Sequence, residues 1–302
     1  MKKKESAKKE VSEKALTGLI LEGGGHRGIF TAGVLDVFVE NGILFDGLIG
    51  VSAGAIHGAS YVAKQAGRSI RYTERYCADS RYMGLKSLLT TGNYFNVDFC
   101  YHRLPEELDP FDNDAFEKSP IAYHILCTDI ETGKPIIHRL KSLKGEGIKW
   151  LQGSASMPLV STPVEVKDEE SGKTFRILDG GISDSIPEKA FREMGYTKNV
   201  VILTQPQSYR KEKNPLYPIM KITMRRYPQL LKSIAERHNA YNDELTTLEA
   251  MAEKGEVLII RPDYEPEAGR TERNPGKIRR TYEMGRRIAL RQLQDVRNFL
   301  AD

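Results

Sequence analysis

A serine set between glycines is the first place in this 302-residue chain where chemistry could occur. The stretch "GVSAG", Gly50 to Gly54, lies where apolar "GILFDGLIG" gives way to the helix-like "AIHGASYVAKQAG". Glycines two residues to either side let the chain turn sharply from strand to helix, which pushes Ser52 outward as a nucleophile. Its hydroxyl attacks at neutral pH only if a base takes the proton, and that base is usually histidine. None of the six histidines is marked for the task. His57 follows Ser52 by five residues, about 140° round a helix, and is expected in packing or solvent. His26 sits inside a glycine loop, while His102, His124, His138 and His238 carry no local signal. A second candidate is Asp179 in "RILDGGISDSIP", which ends a strand before Gly180 and Gly181 turn the backbone away from its carboxylate. A plain Asp-Gly turn gives the same pattern. Asp184 lies five residues past the strand end and is set behind Asp179.

The other chemical feature is the loop "GGGHRG": Gly23, Gly24, Gly25, His26, Arg27 and Gly28. It follows an apolar strand and opens a helix, so its N–H groups can stabilise negative charge. Beside a serine nucleophile that charge is the oxyanion of an acyl intermediate, to which the N–H of Ala53 could add a donor. The spacing Gly23-x-Gly25-x-x-Gly28 also fits a dinucleotide fingerprint. That reading needs an acid at the end of the second strand. Asp46 stands at the start of that strand instead, and Ser52 occupies the end. Arg27 could meet a lipid phosphate or pair with a buried acid.

Both motifs depend on a scaffold. "TGLILEGGG" and "LFDGLIGV" read as buried strands joined by the helix "IFTAGVLDVFVENG", a βαβ unit with parallel strands whose carboxyl ends share one edge. Residues 68 to 119 read as helical insertions forming a lid or wall, their aromatics lining an acyl channel or packing locally. "IETG" and "KDEESGK" mark two hairpins, and "KWLQGSASMPLV" a helix ending before Pro158. "NVVILTQP" and "EVLIIRP" add apolar strands around a long helical stretch. The fold class expected is α/β, a layered sheet with parallel core strands flanked by helices. The organisation expected is a disordered basic tail over 1–16, a catalytic core over 17–205, and an α/β extension over 206–302 packed on the same core.

Composition excludes several classes. Lys and Arg total 45 against 41 Asp and Glu, a net charge of +4, which makes no case for nucleic acid. No apolar stretch is long enough to cross a bilayer, and the lysine-rich start lacks a signal's apolar region. Three scattered cysteines and unpaired histidines give no metal framework and favour a cytoplasmic protein. The C-terminal "KIRRTYEMGRRIALRQLQDVRNFL" reads as an amphipathic helix, packed on the core or lying on a membrane surface.

"GGGHRG", "GVSAG" and "DGG", in that order and each after a strand, resemble the signatures of the patatin-like phospholipases. The similarity runs from about Leu19 to Ala190, with "GSASMPLV" similar to the stretch before the final motif. The resemblance implies a Ser-Asp dyad with Ser52 as nucleophile and Asp179 as base, the Gly23–Gly28 loop as oxyanion hole, and no metal or organic cofactor. It implies a lipid or other acyl-ester substrate, cleaved through an acyl-enzyme. A catalytically silent lipid-binding protein of the same fold is the alternative.

Overall fold

The computed structural model describes residues 15–301, so most of the expected basic tail lies outside the described residues. Residues 16–62 form β1 (Leu16–Leu21), α1 (Ile29–Glu40), β2 (Gly47–Val51) and α2 (Ala53–Val62). The insertion follows as α3 (Arg68–Tyr76), α4 (Leu85–Thr91), a π-helical segment over Phe99–Leu108 and α5 (Asn113–Glu117). Next come β3 (Ala122–Asp129), β4 (Pro135–Arg139), α6 (Glu146–Ser154), β5 (Val164–Lys167) and β6 (Thr174–Asp179). The chain closes with α7 (Glu188–Glu193), β7 (Tyr196–Ile202), α8 (Tyr217–Thr223), α9 (Pro228–Glu253), β8 (Val257–Ile260) and α10 (Pro275–Ala301).

The eight strands form one sheet in the order β5-β6-β3-β2-β1-β7-β8, with β4 also paired to β3. From β3 through β8 neighbouring strands run parallel, as crossover helices require. The two expected hairpins are the antiparallel pairs β3–β4 and β5–β6. Leu19, Leu21, Leu48, Ile125, Val200 and Ile202 point into a core shared with α1, α2, α6 and α10. The alternate residues Ile20, Ile49, Leu126 and Val201 point into a second core under α7 and α9. Helices on both faces explain why these strands are apolar at every position rather than at every second one.

β1 starts at Leu16, one residue before the expected boundary, and α2 stops at Val62 rather than near Gly67, where Lys64 turns to φ 55°. The C-terminal region joins the same sheet through β8, whose Val257–Ile260 pair with Asn199–Ile202 of β7. α10 packs on α1, with Tyr282 donating its hydroxyl hydrogen to buried Asp36 at 2.7 Å. Several of its arginines are paired within the chain, Arg286 with Glu40 and Arg291 with Asp263, both at 2.7 Å.

Candidate active site

The register on β3 brings the two motif residues together. β4 occupies one edge of β3 across His124–Thr128, so β2 and β6 must share the other. On that edge β2 ends with Val51 opposite Leu126, and β6 ends with Asp179 opposite Cys127. The parallel and antiparallel strands therefore leave the sheet at consecutive positions of one strand, where Ser52 and Asp179 begin their turns. Both side chains line the same cavity of about 930 Å³.

Ser52 is held in an uncommon conformation, φ 54° and ψ −123°, at the N-terminus of α2. A non-glycine residue there costs about 1–3 kcal/mol, so the surroundings must impose it. The Ser52 N–H donates to the Ser154 hydroxyl at 3.0 Å, which donates in turn to the Leu126 carbonyl at 2.8 Å. Close approach on both sides of the turn excludes larger residues. A Cβ on Gly54 would stand 2.5 Å from the Leu21 carbonyl oxygen, and one on Gly23 would stand 2.9 Å from the Ser52 Cβ. Gly23 thus sets the glycine loop directly against the serine.

Asp179 is 2% exposed and anchored through its own backbone. Its N–H donates to the Ser156 carbonyl and its carbonyl accepts from the Thr128 hydroxyl, both at 2.8 Å. The carboxylate accepts the Gly181 N–H at 2.8 Å. Burial pushes the Asp179 carboxyl above the usual carboxylate range, while the Arg237 charge, the Ser52 hydroxyl and the Gly181 N–H pull the other way. Ser154 and Ser156 were legible only as part of a short resembling stretch, and their support of the two turns comes from where α6 ends.

The loop residues Gly23, Gly24, Gly25, His26 and Arg27 line the cavity, as do Ala53 and Gly181. Two expectations for the loop need correction. The His26 N–H is spent on the Arg270 carbonyl at 3.0 Å, so it is not available to an oxyanion. Its ring bonds the Glu272 carbonyl through Nδ1 at 2.6 Å and stacks on Tyr82. Gly28 does not line the cavity: a Cβ there would meet the Ala53 Cβ at 2.8 Å, so its place is a packing contact. Gly50, Gly54 and Gly180 likewise pack beneath the turns rather than facing the cavity.

Of the other titratable candidates, His57, His102 and Arg27 also line the cavity. His57 is buried against the Ser69 hydroxyl at 3.0 Å, and burial pushes its imidazole down to about 3, so the ring is neutral. Asp184 does not line the cavity, although burial raises its carboxyl to about 6. Arg27 has no carboxylate within ion-pair distance among the described residues, and Glu22 is the opposing charge that acts on it most strongly. Glu22 itself is satisfied by the Thr204 N–H at 2.6 Å and the Tyr241 hydroxyl at 2.8 Å. Among the described residues no group of three His, Cys, Asp or Glu converges as a metal site would. Cys77, Cys100 and Cys127 are free thiols.

The aromatics of the insertion line the cavity wall, among them Tyr72, Tyr82, Phe95, Tyr101 and Phe111. Such a wall suits an acyl chain, and this volume suits a ligand of lipid size. No described helix is long and apolar enough to cross a membrane.

Comparison with known proteins agrees with the fold and the cavity: the chain belongs to a family of lipid hydrolases. That family is the patatin-like phospholipases, whose sequence model matches residues 19–192. A separate model, described only as a domain of unknown function, matches residues 227–301. The uncharacterized protein YjjU of Escherichia coli strain K12 is 29% identical over 193 residues, 62% of this chain and 52% of that protein. An uncharacterized NTE family protein of Mycobacterium bovis is 31% identical over 56% of this chain and 27% of its own length. Lysophospholipase nte1 of Aspergillus oryzae is 26% identical over 93% of this chain but only 18% of its own. The chain thus spans about half of the first of these relatives and about a quarter or less of the other two.

Proposed function

We propose that the protein hydrolyses acyl esters of lipids, with a lysophospholipid or phospholipid as substrate, through Ser52 and Asp179. The observation that carries this reading is the β3 register, which ends β2 and β6 at adjacent positions and turns both side chains into one cavity. Ser52 attacks the ester carbonyl while Asp179 takes its hydroxyl proton. The oxyanion rests on backbone N–H groups of the Gly23–Gly25 segment and Ala53, with no contribution from the His26 amide. Asp179 then returns the proton to the departing alcohol, leaving the acyl group on Ser52. Water, deprotonated by the same carboxylate, attacks the acyl carbonyl, and Asp179 returns that proton to the Ser52 oxygen as the fatty acid leaves. A carboxylate at its ordinary value near 3.9 is a poor base at neutral pH, so the upward push from burial serves the chemistry.

The name lysophospholipase on one relative and the aromatic wall of the cavity support the lipid assignment. Leu89 on α4 and Ile222 on α8, 86% and 74% exposed, support contact with a membrane surface. The test is labelling by a fluorophosphonate together with hydrolysis of lysophospholipid, in wild type, Ser52→Ala and Asp179→Asn. Labelling of wild type that disappears in Ser52→Ala is expected. A protein that binds lipid but neither labels nor turns over ester is a silent binder, and the hydrolase reading fails.

A further inference from the structure

The Ser52 cavity adjoins a second one of about 710 Å³, and Lys211, Asn214, Arg237 and Arg270 line both. The second chamber is bordered by polar side chains such as Gln205, Ser208, Arg210 and His238, with Ser52 and Asp179 absent from its wall. The dyad therefore looks toward an aromatic cavity on one side and, past a collar of positive charge, toward a polar one. Arg27 lines the first cavity beside this collar.

These four cations are underused by the protein itself. Among the described residues none has a carboxylate within 4.0 Å, whereas most arginines of α10 do. The Nε atoms of Arg27 and Arg237 are buried with no hydrogen-bond partner among the described residues. The carboxylates that act on Arg27, Lys211 and Arg237 among the described residues are Glu22 and, for Arg237, Asp179, and Glu22 is already engaged by Thr204 and Tyr241. Burial, then the Arg237 charge, pushes the Lys211 ammonium down to about 7, and it lies 4.0 Å over the Tyr241 ring. Partly buried cations gathered without anions to match are costly unless an anion arrives from outside. Guanidinium forks at such a place suit phosphate oxygens.

We propose that Lys211, Arg237 and Arg270, with Arg27, form a subsite for the phosphate of a lipid headgroup. The acyl chain then lies against the aromatic wall and the headgroup enters the polar chamber. A glycerol backbone, with ester and phosphate on its three carbons, spans the step between dyad and collar. This assignment rests on the hydrolase reading and deepens it. It also gives a task to the region after the patatin match, since Lys211, Arg237 and Arg270 all lie beyond residue 192. Arg270 reaches the site because its own carbonyl is clamped to the His26 N–H, so one loop both fixes the glycine loop and presents a cation.

The experiment has two arms. Calorimetric titration of sn-glycerol 3-phosphate and inorganic phosphate into Ser52→Ala, with glycerol as control, reads anion binding without turnover. Adding Arg270→Gln or Lys211→Gln should weaken that binding about tenfold or more, and Arg270→Lys should recover part of it. In the second arm, kcat/KM is measured with Ser52 intact for a lysophospholipid and for a monoacylglycerol of the same chain. The phosphate-to-neutral ratio should fall about tenfold in both Gln variants. A ratio that stays within about threefold of wild type while esters turn over sinks the headgroup subsite alone. If phosphate binding then still responds to the variants, the site takes free phosphate. Phosphate binding that responds to the variants in a protein with no ester turnover supports the anion site and sinks the hydrolase reading.

Discussion

Replacing Ser52 by glycine should make the protein more stable than replacing it by alanine, although both changes should abolish the proposed acyl transfer. Ser52 holds φ 54° and ψ −123°, a conformation that penalises any residue carrying a Cβ by about 1–3 kcal/mol. Alanine keeps the Cβ and hence the penalty. Glycine removes it, at the cost of about 0.5–1 kcal/mol of extra freedom in the unfolded chain. Both variants lose the hydroxyl, so its contribution cancels between them. The difference left is about 1 kcal/mol in favour of glycine, or roughly 1–2 °C in the unfolding midpoint for a chain of this size. Urea unfolding of the two variants side by side, with ester turnover as control, measures it. A glycine variant no more stable than the alanine variant would refute the claim that the turn stores strain in order to present its hydroxyl.

Three further predictions follow from the same geometry. Asp179→Asn should lower kcat about 10³–10⁴-fold and remove the acid limb of the pH–rate profile, whose midpoint should lie above the ordinary carboxylate value near 3.9. Because the folded state raises this pKa, wild-type stability falls as pH rises from the unfolded value through the raised one. The Asn variant should therefore unfold at a higher temperature than wild type at pH 7, with the gain gone by about pH 3, as scanning calorimetry can test. Ser154→Ala leaves the Ser52 N–H and the Leu126 carbonyl without their shared partner, which should cost about 1–3 kcal/mol in urea unfolding and lower kcat through the displaced turn. Leu89→Glu and Ile222→Glu should weaken sedimentation with lipid vesicles while leaving turnover of a short-chain soluble ester near wild type.

The motif residues were legible in the sequence because each is governed by local backbone chemistry. Glycines around Ser52 announce a tight turn, and the pair after Asp179 announces another, wherever in the fold they fall. The apolar runs at Leu19–Leu21, Leu48–Val51 and Val200–Ile202 announced buried strands, since a parallel sheet covered on both faces needs no polar alternation. The glycine loop was legible as a whole but not residue by residue. Only the tertiary contact of His26 with Arg270 shows that one of its amides is already spent. The insertion was read correctly as helical, while its π-helical segment over Phe99–Leu108, which contains Pro105, gave no periodic signal.

By itself, then, the sequence determined the strand-to-helix turns, the order of the signatures and the class of fold, because each depends on residues near one another in the chain. The tertiary structure decided which edge of β3 the two turns share, and that Ser154 ties one of them to the sheet. It alone gathered Lys211, Arg237 and Arg270 from separate polar stretches around the buried carboxylate. Such groupings depend on strand register and helix packing between residues far apart in the chain, and no local pattern of side chains encodes them.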